Sequence, residues 1–348
     1  MDKYYIPFFI AVAIAYLATP LVRWFAIKVG AVDVPKDDRR IHKKPMPLMG
    51  GLAIYIATII SMIIYIDPID KGIISIMVGA TIIVITGVID DIKPLSAKVK
   101  FLAQIVAAFI LVWGDIRIEF ISNPFDKVDG MLILGALSTP ITIFWVVGIT
   151  NTLNFIDGVD GLAAGVGSIA SMSLLFVASI NGYTSVAIMS AIIAGSAFGF
   201  LPHNFNPAKI FMGDTGALFL GYMLSVIAIK GVMKSVAAIG IAIPILVLGI
   251  PIFDTTFAII RRVINKKPIY EADKGHLHHR LLKRGLSQKQ TVLVLYTISV
   301  FLGVSAVILT DAKPSTAVMI LGGIFSVSIL AAARKRIVAG KKAKERNK

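Results

Sequence analysis

The sequence has no cysteine among its 348 residues, so disulfide bonds and thiolate metal sites are excluded. This absence says little about the cellular compartment. A convincing internal repeat is also missing, which weakens the inverted-repeat pattern expected of many transporters. The first apolar segment, residues 4–27, lacks a small-residue cleavage site and is too long for a signal-peptide core. We therefore treat it as a membrane span.

Apolar residues, by contrast, are abundant. Hydrophobic residues make up 57% of the chain and the mean hydropathy is +0.84, whereas soluble domains are roughly 45–50% apolar. Apolar segments of about 17–25 residues recur, each long enough to cross a hydrocarbon core of roughly 30 Å. The sequence thus predicts an all-α polytopic integral membrane protein. The net charge of +15 is then typical of cytoplasmic loops rather than of nucleic-acid binding.

We expect about eleven transmembrane helices, joined by loops that alternate between the two sides of the membrane. They are predicted near residues 4–27, 48–66, 72–89, 99–114, 131–150, 162–180, 185–201, 215–230, 235–257, 290–309 and 315–333. The loops on one side, with the C-terminal tail, carry about 28 of the 35 Lys and Arg residues. Because basic residues near span ends are retained in the cytoplasm, this side is predicted to be cytoplasmic and the N-terminus to lie outside.

One transmembrane domain is predicted over residues 1–333, followed by a basic cytoplasmic tail over residues 334–348. The cytoplasmic loops are predicted at residues 28–47, 90–98, 151–161, 202–214 and 258–289. Every polar cluster that interrupts the apolar runs falls in these loops, so we expect the clusters to form one site. On the outer side, the alternation of Ile116, Ile118 and Phe120 predicts a small extracytoplasmic hairpin within residues 115–130.

The first acidic cluster is the pair Asp90 and Asp91. Adjacent carboxylates repel each other, which raises the pKa of one of them unless a cation neutralises the pair. Oxygen-rich sites of this kind suit Mg²⁺ or Mn²⁺, especially when phosphates complete the coordination shell. Lys98 and Lys100 could hold a phosphate nearby. A solvated acidic turn is the alternative interpretation.

The second acidic cluster lies between two apolar runs. Asp157 and Asp160 are three residues apart and would share a face of a helix. Gly158 and Gly161 would let a ligand or backbone approach closely. Both acids could instead cap the following helix. One cap needs only one Asp, however, and the amide of Asn154 is left over, so the pattern favours a functional site.

Two further motifs follow. Asp214 stands at the start of a predicted span, where it could be a helix cap or a metal ligand. Phe211 offers a ring on which a base could stack, and Asn204 has the donors and acceptors to read the edge of a base.

A histidine-rich segment lies in a basic cytoplasmic loop. It contains His276, His278 and His279, followed by Arg280. Without cysteine or a fixed partner, zinc binding is disfavoured, whereas His and Arg together suit a diphosphate. A solvated basic loop is the alternative.

Asp254 is an isolated acid, predicted late in a span near the inner interface. An ionisable residue in such a place is a functional candidate by default. It could equally pair with Arg261 or Arg262. The sequence leaves both interpretations open.

These motifs, in this order, resemble those of the polyprenyl-phosphate N-acetylhexosamine-1-phosphate transferases, the integral membrane family that includes MraY and WecA/TagO. The resemblance runs from about Asp33 to Leu286, with motifs at residues 47–51, 90–91, 154–162, 204–216 and 275–280. It implies a site on the cytoplasmic face that transfers a sugar-1-phosphate from a UDP-sugar to a lipid phosphate and releases UMP. The product would initiate a cell-envelope glycan at the inner or plasma membrane.

The motifs favour one branch of that family. Residues 276–280 read His-Leu-His-His-Arg, similar to WecA/TagO, whereas MraY enzymes carry three consecutive histidines and then an acid. Residues 46–51 read Met-Pro-Leu-Met-Gly-Gly, where MraY usually has Thr-Pro-Thr-Met-Gly-Gly. Both departures favour UDP-N-acetylglucosamine or a close epimer over the muramoyl-pentapeptide nucleotide. An MraY-type activity is the alternative. A transporter is a remote one, because the acids lie at span ends and not near the bilayer midplane.

The resemblance also implies roles for individual residues. The metal ligands would be Asp214 and Asn154, holding Mg²⁺ or alternatively Mn²⁺. The expected catalytic residues are Asp90, Asp91, Asp157, Asp160 and Asp214. The expected substrate-binding residues are Lys43, Lys98, Asn204, Phe211, His276, His278, His279 and Arg280. The partners would be the UDP-N-acetylhexosamine, the polyprenyl phosphate and the membrane, with a homodimer as an open alternative and no nucleic acid.

Overall fold

The computed structural model describes residues 2–34, 45–122, 131–231, 241–266 and 275–311. Lys43, the predicted span 315–333 and the basic tail lie outside these residues. The described part contains twelve α-helices and two short β-hairpins. Its helices are α1 (Asp2–Val29), α2 (Gly51–Tyr65), α3 (Lys71–Ile92), α4 (Ala97–Trp113), α5 (Ser138–Ile156), α6 (Leu162–Ile180), α7 (Thr184–Asn204), α8 (Gly213–Gly231), α9 (Ala242–Val247), α10 (Gly249–Ile264), α11 (Leu277–Leu282) and α12 (Gln288–Thr310).

Six helices in the described part are long and apolar enough to cross a membrane. They comprise Lys3–Val29, Lys71–Ile92, Gly135–Ile156, Leu162–Ile180, Thr184–Asn204 and Gln288–Thr310. The helix Gly51–Tyr65 is apolar but shorter. The prediction of an all-α, multi-pass membrane protein is therefore confirmed, while the count of eleven spans and their orientation remain predictions.

Several helices continue further than their apolar segments. α3 runs to Ile92, α5 to Ile156 and α7 to Asn204, so the predicted loops 90–98, 151–161 and 202–214 begin too early. The reason is that helical hydrogen bonds are made by the backbone, and polar side chains at the end of a span do not stop them. The polar residues of these motifs consequently project from ordered last turns.

The predicted span 235–257 is not one continuous helix in its described part. α9 ends at Val247, and α10 begins at Gly249 and continues to Ile264. Pro251 has no N–H to donate to the carbonyl of Val247, but it fits the first turn of a new helix. The break therefore follows from the position of this proline.

A hairpin forms, but further along the chain than the predicted residues 115–130: Ile116 and Ile118 lie outside its strands, and its second strand lies in residues predicted to begin the span 131–150. Residues 123–130 lie outside the described residues. β3 (Phe120–Ser122) pairs antiparallel with β4 (Met131–Ile133), with Phe120 opposite Ile133. A second hairpin, β1 (Val32–Asp33) with β2 (Met46–Pro47), was not predicted. Its second strand continues into backbone bonds with the segment before α8, including Phe211 N to Pro47 O at 2.8 Å.

Helix α8 is buried along almost its whole length and packs against α2, α3, α5, α6 and α7. Glycines make this approach possible at its first turn. A Cβ on Gly51 would clash with Gly216, and a Cβ on Gly87 would lie 2.6 Å from the backbone nitrogen of Thr215. The close packing places the start of α8 directly beside the last turn of α3.

Candidate active site

A cavity of about 980 Å³ lies where the last turns of α3, α5 and α7 meet the start of α8. This volume is at the upper end of the roughly 300–1,000 Å³ typical of small-molecule sites. Among the described residues, its lining includes the carboxylates Asp33, Asp90, Asp91, Asp157, Asp160 and Asp214. So many acids in one wall would repel an anionic ligand unless cations take part.

Lys100 does not line the cavity but bridges two of these acids from behind. Its Nζ lies 2.8 Å from Asp214 Oδ2 and 3.3 Å from Asp90 Oδ2. The other oxygen of Asp90 accepts a hydrogen bond from Leu95 N at 2.8 Å. Asn154 Nδ2 donates to Asp214 Oδ1 at 3.1 Å. Residues from α3, α4, α5 and α8 thus form one polar cluster around Asp214.

Asp91 has a different environment from its neighbour. Its carboxylate accepts hydrogen bonds from Asp214 N at 3.0 Å, Thr215 N at 3.3 Å and Thr215 Oγ1 at 2.6 Å. Two of these donors are free N–H groups of the first turn of α8, where a carboxylate is stabilising, and the third is the hydroxyl of Thr215. Asp91 is 9% exposed. Asp91 on α3 therefore caps α8, whereas its neighbour Asp90 contacts Lys100.

Asp157 follows the last residue of α5 and faces the cavity. Among the described residues, no hydrogen-bond donor reaches its carboxylate. Burial, together with the negative charges of Asp214, Asp91 and Asp160, raises the pKa of Asp157 to about 8. Near neutral pH this side chain is consequently able to hold or release a proton.

Asp160 anchors the loop between α7 and α8. Its Oδ2 accepts from Asn206 Nδ2 at 2.9 Å and from Ala208 N at 3.1 Å. Asn206 Nδ2 also donates to Gln288 Oε1, at 2.8 Å, at the start of α12. Asp160, Asn206 and Gln288 all line the cavity, so this network shapes one of its walls.

Asn204 is almost fully buried, with 3% of its surface exposed. Its Oδ1 accepts from Gly161 N at 3.1 Å and its Nδ2 donates to Ile210 O at 3.0 Å. The amide thereby joins the turn after α5 to the segment before α8. Phe211, the predicted stacking ring, lies at the end of that segment and lines the cavity.

The histidine segment approaches the cavity from α11. His279 lines it, His278 is 2% exposed, and His276 is 8% exposed. A Cβ on Gly158 would lie 2.7 Å from His278 Nε2, so this ring packs against the turn after α5. Burial, with the nearby His279, lowers the pKa of His278 to about 4, and the ring is neutral near pH 7.

The remaining predicted substrate-binding residues are not all at the cavity. Lys98 and Arg280 are exposed and are not among the residues that line the cavity, while Lys43 lies outside the described residues. Asn206, which lies within the motif at residues 204–216, and Gln288 line the cavity, although neither was predicted as a site residue. Gln288 is remote in sequence from every acidic cluster, so only the packing of α12 reveals it.

The donors around Asp214 suit a metal that is shared with a substrate. In the described part of the chain, no group of three or more His, Asp or Glu side chains is arranged to hold a metal ion. Mg²⁺, however, is usually held by one or two carboxylates, and waters and substrate phosphates complete its shell. Asp214 and Asp90, which share Lys100, could provide carboxylate oxygens for such a partial set, and the amide of Asn154 lies beside them with its Nδ2 donating to Asp214 Oδ1.

Comparisons with known proteins identify a family and several relatives. The family model for glycosyl transferase family 4 matches residues 73–232. A probable undecaprenyl-phosphate N-acetylglucosaminyl 1-phosphate transferase of Bacillus subtilis is 45% identical over 312 residues, covering 90% of this chain and 86% of that protein. The decaprenyl-phosphate N-acetylglucosaminephosphotransferase of Mycobacterium tuberculosis H37Rv is 33% identical, covering 89% and 84%. A phospho-N-acetylmuramoyl-pentapeptide-transferase of Staphylococcus saprophyticus is 32% identical, covering 76% and 84%.

Proposed function

Because this chain belongs to glycosyl transferase family 4, among the polyprenyl-phosphate N-acetylhexosamine-1-phosphate transferases, we propose that it transfers N-acetylglucosamine-1-phosphate to a polyprenyl phosphate. The observation that carries this proposal is the 45% identity, over 90% of the chain, to a relative named for that reaction. The relative named for the muramoyl-pentapeptide reaction is less similar, at 32% over 76% of the chain. The protein is an enzyme of the phosphotransferase type.

The donor in this proposal is UDP-N-acetylglucosamine. The His-Leu-His-His-Arg reading of residues 276–280 supports it, because MraY enzymes carry a different histidine motif at this point. A cavity of about 980 Å³ is large enough for a nucleotide sugar. The other substrate, a polyprenyl phosphate, keeps its tail in the bilayer and brings only its phosphate to the acidic cluster.

The reaction is a displacement at the β-phosphorus of the donor. A lipid phosphate oxygen forms the new P–O bond, the bond to the α-phosphate oxygen breaks, and UMP leaves with its electron pair. The second pKa of an alkyl phosphate is about 6, so the acceptor is mostly a dianion at neutral pH and needs no strong base. Catalysis then rests on positioning two anions and neutralising their charge.

The chain's own groups are suited to these tasks. Lys100, between Asp90 and Asp214 at 3.3 and 2.8 Å, offsets part of the carboxylate charge that an incoming phosphate would meet. Asp90 would orient the lipid phosphate or accept a residual proton. His279 also lines the cavity. A covalent route with Asp157 or Asp214 as nucleophile is the competing mechanism, and trapping a phosphorylated aspartate from the UDP-sugar alone would favour it.

A magnesium ion is part of the proposal. Asp214 and the side-chain oxygen of Asn154 would hold it, with Mn²⁺ as an alternative. When bound, the ion would neutralise charge on the donor diphosphate. The many acids that line the cavity support a cation requirement, since they would otherwise repel that diphosphate.

The test is a substrate panel with purified protein in detergent and a short polyprenyl phosphate. We expect UMP release from UDP-N-acetylglucosamine and little from UDP-N-acetylgalactosamine or UDP-N-acetylmuramoyl-pentapeptide. Asp214→Ala serves as the inactive control across a Mg²⁺ titration. Faster release from the pentapeptide nucleotide would overturn the proposed donor, and full activity of Asp214→Ala would overturn the metal assignment.

A further inference from the structure

Asp254 is a buried acid that does not line the cavity. It lies within α10, and its side chain is only 8% exposed. Both of its oxygens contact the start of α11. Oδ2 lies 2.9 Å from His276 Nδ1, and Oδ1 accepts from Leu277 N at 2.7 Å. One carboxylate thereby joins α10 to the histidine segment.

The contact continues from His276 to the cavity through adjacent rings. The His276 and His278 rings are parallel, with centroids 5.9 Å apart and an interplanar angle of 1°. The centroids of His278 and His279 are 4.2 Å apart, and His279 lines the cavity. The orientation of the first ring therefore bears on the placement of the third.

The carboxylate also decides which nitrogen of His276 carries a proton. A carboxylate accepts hydrogen bonds, so Nδ1 is the donor of this contact, and in the neutral tautomer that the contact selects Nε2 carries no proton. Oxygens that accept from the N–H at a helix start also fix the direction of that helix. A single side chain thus controls both the tautomer of His276 and the entry of α11.

We infer that Asp254 is the positioning residue of the histidine cluster: through its paired contacts with His276 and Leu277 it orients His276 and, through the adjacent rings, His279, which lines the cavity. This inference rests on the proposed function. Sequence considerations left Asp254 open between a functional role and a simple ion pair with a neighbouring arginine. Its contacts with His276 and Leu277, at the start of α11, favour the functional role.

The test compares two Asp→Asn variants. In Asp254→Asn the side-chain oxygen can still accept from Leu277 N, but its NH₂ group faces His276 Nδ1 and imposes the other tautomer. We expect kcat for UMP release to fall about 10- to 100-fold, while KM for UDP-N-acetylglucosamine stays within about threefold. The matched control is Asp70→Asn, since Asp70 caps α3 by accepting from Ile73 N at 2.7 Å without a histidine partner; its kcat should equal that of the wild type.

A double mutant separates positioning from general destabilisation. Because Asp254 acts through His276, Asp254→Asn should cause no further loss in a His276→Gln background, whereas independent effects would multiply. A wild-type kcat for Asp254→Asn, or multiplied losses in the double mutant, would overturn the inference.

A spectroscopic readout keeps the inference testable even if the wild type proves inactive and the proposed function fails. The chain has only five histidines, so ¹⁵N-histidine spectra, assigned with His276→Gln, can report the tautomer of one ring. We expect the Nδ1–H pattern for His276 in the wild type and the Nε2–H pattern in Asp254→Asn. An unchanged pattern would contradict the positioning role whatever the activity.

Discussion

At the scale of single residues, the adjacent carboxylates Asp90 and Asp91 contact different parts of the molecule. Asp90 shares Lys100 with Asp214. Asp91 instead accepts hydrogen bonds from the first turn of α8. Changing the first alters the charge that faces the cavity. Changing the second alters the support of a buried helix, so the two substitutions should have different consequences.

Asp91→Asn should lower the unfolding temperature, because its NH₂ group cannot accept from the N–H donors of α8 and leaves a buried donor unsatisfied. The expected cost is about 1–3 kcal/mol. Asp90→Asn should unfold near the wild-type temperature yet lose about 100-fold in kcat. The three tryptophans allow unfolding to be followed by intrinsic fluorescence, with UMP release measured on the same samples. Equal unfolding temperatures for the two variants would contradict this division.

The pKa of Asp157 predicts a pH dependence of stability. Burial raises this pKa from 3.8 to about 8, so between these values the folded protein binds more protons than the unfolded chain. Stability from this group is therefore full below 3.8 and is lost as the pH rises towards about 8. Asp157→Asn cannot ionise, and its unfolding temperature should fall less than that of the wild type between about pH 4 and 8. If the unfolding temperatures of the two proteins changed in parallel with pH, the raised pKa of Asp157 would be refuted.

The choice between Lys98 and Lys100 shows what sequence alone could not decide. The two lysines are two residues apart near the start of α4, and residues at this spacing do not share a helix face. Only one of them can therefore point at Asp90 and Asp214. The register of α4 against α3 selects Lys100, and no local pattern encodes that register.

At the scale of elements, hydropathy located the spans but not their ends. The apolar segments predict where α3, α5 and α7 lie, and the helices then continue through Asp91, Asn154 and Asn204. Backbone bonding extends a helix regardless of side-chain polarity until a turn or proline ends it. Asp91, Asn154 and Asn204 are thus held on the last turns of helices, which gives these side chains a fixed geometry that loops would lack.

The approach of α3 to α8 depends on Gly87. A Cβ there would lie 2.6 Å from Thr215 N and 2.9 Å from the carbonyl carbon of Asp214. Gly87→Ala should push the start of α8 away from Asp91, at a cost of about 1–3 kcal/mol, and abolish most UMP release. Gly148→Ala is the matched control, because this helical glycine has nothing within 4 Å of a new Cβ and should be neutral or stabilising. Similar unfolding temperatures for both variants would argue against tight packing at Gly87.

At the scale of the whole molecule, the prediction of one site from scattered motifs was the most informative inference from sequence. Asp90, Asn154 and Asp214 come from three helices and meet around Lys100. The predicted alternating topology places their motifs on one side of the membrane, which is why a sequence argument could group them. The capping role of Asp91 and the pairing of Asp254 with His276 depend on contacts between distant helices, and these could not be foreseen.

The absence of cysteine makes the predicted orientation directly measurable. Lys93, exposed just after α3, and Ser185, exposed at the start of α7, are predicted to lie on opposite sides of the membrane. In intact cells, an impermeant maleimide should label Ser185→Cys at once and Lys93→Cys only after permeabilisation, because the basic loops are retained inside. Labelling of Lys93→Cys in intact cells would show that the orientation is the opposite of the predicted one.

The central claim is that a phosphosugar, and not the sugar alone, moves to the lipid. The most direct measurement uses UDP-N-acetylglucosamine labelled with ³²P at the β-phosphate and with ¹⁴C in the sugar, supplied with polyprenyl phosphate to the purified enzyme. The account predicts that both labels appear in the lipid product in equal amounts and that unlabelled UMP is released. If ¹⁴C entered the lipid while ³²P remained in released UDP, the transfer would be glycosyl transfer and the account would be wrong.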